Sequence, residues 1–177
     1  MTPHRPEFHV PVVDISPYVD DGSARERARV AREIDDACST VGFIQIVGHG
    51  VAPHVVDGLS SAIDQFFALP QDAKKAYRVA DANRGYSPPR SEALSLSLGV
   101  ESAGKMNDFF EAFNVGVEAR SFPGLGLSEA DYGINVWPEL PGFRERIDAY
   151  FAEASRVART LTRVFADALG QPPELFE

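Results

Sequence analysis

The sequence predicts an α+β fold, helices packed on a few short strands, and three observations carry that prediction. An apolar stripe at helical spacing runs through the last third of the chain, from Phe143 to Leu169. A second helical stripe follows a Ser-x-x-Glu box formed by Ser23 and Glu26. Short β-branched runs, "VPVV" and "FIQIV", stand before and between them, each closed by turn residues.

Taken in order, "FHVPVVDIS" is a β-type run, apolar at Val10, Val12, Val13 and Ile15. The next stretch reads as a helix capped by Ser23, with Ala31, Ile34, Cys38 and Val41 on its buried stripe and Gly42 ending it. Residues 43–47, "FIQIV", have the composition of a buried strand, broken by "GHGV". A second helix follows Pro53, with Val56, Leu59, Ile63 and Phe66 on one face. Pro70 then opens the short segment "QDAKKAY". "DANRGYSPPRS" reads as turn, and "ALSLSLGV" alternates as a strand would. "DFFEAFNVGV" (108–117) predicts a strand with Phe113, Val115 and Val117 on one side. Residues 118–142 read as loop; Gly124-Leu125-Gly126 is no dinucleotide fingerprint, because no strand precedes it and no helix opens there. The helix over 141–169 spans about seven turns, roughly 40 Å at about 1.5 Å per residue. Gly170 ends it, and "QPPELFE" looks like the start of another helix.

The chain has 177 residues, 44% of them hydrophobic and 24% charged, which suits one globular domain with its own core. A net charge of −9 offers no footprint for nucleic acid. No apolar run approaches the roughly 18 residues of a membrane span, and the N-terminus has no signal-peptide core. A single cysteine excludes an intrachain disulfide and a multi-cysteine zinc site. A cytoplasmic protein is the simplest reading.

The chemistry-bearing residues do not converge. A facial iron triad needs two histidines and a carboxylate, often as His-x-Asp on a strand, and no His-x-Asp or His-x-Glu occurs here. His54 and Asp57 lie three apart but supply only two ligands, and His4 and His9 sit in the lead segment. Cys38 reads as a small buried hydrophobe, and no Gly-x-Ser-x-Gly motif is present. His49 lies between Gly48 and Gly50, and it reads as the corner of a tight turn whose imidazole bonds the neighbouring backbone. No catalytic residue and no metal ligand is assigned within the chain.

Seven stretches in order resemble the N-terminal region of the isopenicillin N synthase-like family of 2-oxoglutarate- and Fe(II)-dependent dioxygenases: "VPVVDIS", "GFIQIVGHGV" (with Gly48 where Asn is usual), "FFALPQDAKKAY", "RGYSP", "SEAL", "DFFEAFNVG" and "NVWPE". The resemblance runs from Val10 to Glu177. It implies that the chain is the N-terminal part of a double-stranded β-helix (jelly-roll) oxygenase whose catalytic core, with the iron triad and the 2-oxoglutarate site, is missing from these residues. Residues 1–177 would then form one N-terminal domain with a long spine helix at about 141–169. Fe(II) and 2-oxoglutarate would belong to the full-length enzyme, with none held by this segment alone, and the segment alone would be inactive.

The same resemblance places the loop "NRGYSP" near the substrate, which makes Asn83, Arg84, Tyr86 and Ser87 the candidate substrate-binding residues, Arg84 suiting a carboxylate through a bidentate contact. Asn135, Trp137 and Pro138 are read as structural, with Trp137 anchored against the long helix. The implied partner is a small-molecule substrate, with no nucleic acid and no membrane, and the fragment is expected to self-associate through its uncovered apolar faces. The alternative is a stand-alone, catalytically silent binding or interaction module.

Overall fold

The computed structural model describes residues 9–79, 83–91 and 109–176. The alternating run 93–100, His4 and Asp108 lie outside them. The chain divides into two compact units, Met1–Asp57 with Asp148–Glu177, and Gly58–Ile147.

In the first unit, strand β1 (Val12–Asp14) runs parallel to β2 (Gln45–Val47), with Val13 opposite Ile46. Between them come a one-turn helix α1 (Ser16–Val19) and helix α2 (Ala24–Thr40). The Ser23 hydroxyl caps α2 by accepting from the Glu26 N–H while the Glu26 carboxylate takes the Ser23 N–H, so the predicted capping box forms. Gly42 follows at φ +82°. Val13, Ile15 and Tyr18 pack against Val30 and Ile34 of α2 and Val164 of helix α5 (Phe143–Ala168). Fully burying one such aliphatic side chain is worth about 2 kcal/mol. The Tyr18 hydroxyl, which donates to Asp167 at 2.6 Å, ties α1 to the end of α5.

Two sequence expectations fail here. Cys38 is exposed; the buried face of α2 is Val30, Ala31, Ile34 and Ala37. The step of three from Ile34 to Ala37 holds that face, and Cys38 is turned roughly 100° further round the helix. Strand β2 is not buried on both sides. Ile44 and Ile46 meet the core, whereas Val47 and the preceding Phe43 are exposed, since side chains alternate across the pleat.

In the second unit, the later part of helix α3 (Pro53–Phe67) leads to α4 (Gln71–Lys75) and an antiparallel pair, β3 (Gly85–Ser87) with β4 (Ala112–Asn114). Phe66 is the hub, with ring centroids of Phe67, Tyr77, Tyr86, Phe113 and Phe143 between 4.6 and 6.1 Å away. On α3 the buried face is Ala62 and Phe66 with Leu59 partly covered, while Val56 and Ile63, expected on that face, are exposed. The turn expected over 81–91 contains a strand, because Tyr86 pairs with Phe113 before Pro88 ends the ladder. Trp137 packs in this core, 6.5 Å from Phe143.

Helix α5 matches the predicted spine closely, and Gly170 follows it at φ +62°. The final stretch is a single 3-10 turn, Pro173–Phe176. Among the described residues no helix is long and apolar enough to cross a membrane.

Candidate functional site

The four candidate residues lie on and just before β3, in the second unit. Gly85 makes the approach: its φ is +71°, and a Cβ there would stand 2.1 Å from the Tyr77 carbonyl oxygen. That closeness lets the Tyr86 N–H donate to the same carbonyl at 2.9 Å. Only glycine fits such a contact at positive φ.

Tyr86 points inward and is 1% exposed. Its hydroxyl donates to Glu111 at 2.5 Å, and the Lys74 ammonium sits 2.9 Å from the same carboxylate and 5.7 Å from the Tyr86 ring centre. The Lys74 ammonium also donates to the Phe67 carbonyl. Lys74 first and the Tyr86 hydroxyl second hold Glu111 below the usual carboxylate range. Burial first, then the Glu111 bond, push Tyr86 up to about 12.

Arg84 is half-buried and donates to three carbonyls, those of Asn83 (2.7 Å), Val117 (2.9 Å) and Gly133 (3.3 Å). A guanidinium carries five N–H groups, and two of the three bonded here bridge segments far apart in sequence, those to Val117 and Gly133. Gly116 admits it: a Cβ there would meet Arg84 Nη2 at 2.9 Å. Ser87 Oγ accepts from Asn114 Nδ2 at 3.1 Å, and Asn83 is exposed.

Asn135 does the structural work expected of it. Its amide takes the Gly116 N–H on Oδ1 and donates Nδ2 to the Gly116 carbonyl, while its own N–H goes to Glu118. The Asn135 N–H is the main cause of a lowered Glu118. Sequence reasoning missed Lys74, Glu111 and Glu118. A lysine and a glutamate 37 positions apart carry no local signal of pairing.

His49 is a turn residue in the first unit. Gly48 and Gly50 have φ +67° and +71°, and His49 Nδ1 accepts the Val51 N–H at 3.1 Å. Among the described residues no group of three or more His, Cys, Asp or Glu side chains could hold a metal ion. The described residues therefore do not fit the iron site that the family resemblance implies elsewhere in the protein.

Comparison with known proteins places this architecture. Residues 10–140 match the family described as the N-terminal region of the non-haem dioxygenase in morphine synthesis, and the chain belongs to that family. A 2-oxoglutarate-dependent dioxygenase of Monascus ruber is 31% identical over 176 residues, covering 96% of this chain and 51% of that protein. A Neurospora crassa protein, solved in complex with α-ketoglutarate and thymine, superposes with a TM-score of 0.72 at 20% identity, over 98% of this chain and 52% of its own. The rice dioxygenase for auxin oxidation gives 0.59 at 24% identity, over 92% and 46%. The chain thus spans about half the length of the curated relatives it matches.

Proposed function

We propose that this chain is the N-terminal part of a non-haem iron, 2-oxoglutarate-dependent oxygenase that oxidises a small molecule in the cytoplasm. The observation that carries the reading is the family match over residues 10–140 together with relatives of that activity at twice the length. The two units would act as one N-terminal domain, with Fe(II) and 2-oxoglutarate held by the other half of the protein.

Within that reading the segment Asn83–Ser87 faces the substrate. Arg84 offers an acceptor group, such as a carboxylate, the N–H groups not bonded to Asn83, Val117 and Gly133. Asn83 and Ser87 add neutral polar contacts; Tyr86, expected among the contacts, is instead buried with its hydroxyl on Glu111.

The test follows succinate formed from 2-oxoglutarate with Fe(II) and O₂. A gene product of the relatives' full length is expected to turn over, and residues 1–177 alone are expected to be silent. Turnover by residues 1–177 overturns the division of labour. Silence of the full-length product across a panel of small molecules, with no uncoupled succinate, favours a binding module instead.

A further inference from the structure

We propose that the His49 turn is a pH-sensitive joint between β2 and α3. The geometry supplies an acceptor that one proton abolishes. His49 Nδ1 receives the Val51 N–H, which requires an unprotonated Nδ1 with the ring proton on Nε2. Uptake of one solvent proton at Nδ1 sets a donor against a donor, and the bond is lost.

Gly48 and Gly50 flank the histidine in the left-handed region, and glycine has no Cβ to restrict its other conformations. A second hydrogen bond reaches the turn from Arg156 of α5, whose Nη2 donates to the His49 carbonyl at 2.9 Å. Protonation therefore adds a positive charge next to a guanidinium. Glu153, bonded to Arg156 through Nε and Nη2, offsets part of that repulsion. The other titratable groups around the turn are Tyr150 on α5, Asp14 on β1, whose carboxylate lies against Gly48, and His54 and Asp57 at the start of α3.

His49 and Val51 also line an apolar groove of about 350 Å³, shared with Ile46, Val56, Tyr150 and Val157. A charge introduced into such a lining is unfavourable unless the turn moves it toward water. The joint would be closed while Nδ1 is unprotonated and loosened once it carries a proton.

The test measures the exchange protection of the Val51 amide in the 177-residue chain as the pH is lowered from 8 to 5. The His49 ring signals are followed in the same samples. Protection is expected to fall about tenfold as the imidazole protonates, the scale set by loss of one hydrogen bond. In His49→Asn, Oδ1 stands where Nδ1 stood and accepts at every pH, so protection should stay flat. Constant protection in the wild type while the ring titrates overturns the proposal, and so does an equal fall in His49→Asn. Should that variant not fold, the ring nitrogen shifts of the wild type decide: a proton on Nδ1 at pH 8 overturns it.

Discussion

Lys74 brings its ammonium to 2.9 Å from the Glu111 carboxylate while remaining only 6% exposed. The lysine stem crosses apolar surface, and its charge is met by one carboxylate and the Phe67 carbonyl. Removing the ammonium leaves Glu111 and the Tyr86 hydroxyl sharing a half-covered site without a cation. Lys74→Met is expected to lower stability by about 2 kcal/mol, less than for a fully buried pair because Glu111 is partly in contact with water. Urea unfolding checks this, and Lys74→Met with Glu111→Gln should recover part of the loss.

The same cluster sets a pH window. Glu111 is lowered in the folded protein, so its contribution is present above the ordinary carboxylate range and is lost as pH falls below about 4.3. Tyr86 is raised to about 12, so its contribution is present below the usual phenol value and is lost as pH rises toward that figure. Unfolding midpoints should therefore drop at both extremes. Lys74→Met should flatten the acid limb, and Tyr86→Phe should reduce the alkaline one. Tyr18, raised by burial and by its bond to Asp167, adds to the alkaline limb, so Tyr86→Phe should not abolish it.

Two glycines of similar φ should answer differently to alanine. At Gly85 a Cβ would stand 2.1 Å from the Tyr77 carbonyl oxygen, while at Gly42, φ +82°, it would meet nothing within 4 Å. Gly42→Ala carries only the left-handed strain, about 1 kcal/mol. Gly85→Ala must also displace β3 from Tyr77, and its loss should exceed about 3 kcal/mol. Thermal melts of the two variants side by side check the order.

Arg84 and Asn83 separate scaffold from contact. Arg84→Lys cannot reach three carbonyls at once and is expected to cost about 1–2 kcal/mol by chemical denaturation. Asn83→Ala alters an exposed side chain and should stay within about 0.5 kcal/mol. Loss of substrate affinity in Asn83→Ala, measured by calorimetry with the full-length protein, would then report contact rather than folding.

Helices were the most legible part of the sequence, because their signals are local. The Ser23–Glu26 box starts α2, the Phe143–Leu169 periodicity outlines α5, and glycines at positions 42 and 170 close each. The strands were legible where β-branched residues cluster, as in β1 and β2, and where apolar residues alternate, as in the stretch that holds β4. Strand β3 was not, since "GYSP" becomes a strand only when Phe113 lies opposite Tyr86. Faces were less legible than elements. Cys38, Val56 and Ile63 sit at helical spacing from buried neighbours, yet a rotation of one position exposes them.

By itself, then, the sequence determined the three longer helices, the capping box, the His49 turn and the family, each set by neighbours a few residues apart or by motifs in order. Tertiary structure alone decided that Lys74 meets Glu111, that Tyr86 faces the Phe66 core, and that Arg84 ties Val117 to Gly133. Those choices depend on which segments fold back beside one another. A buried charge or a guanidinium is satisfied by partners tens of residues away, and no local pattern records them.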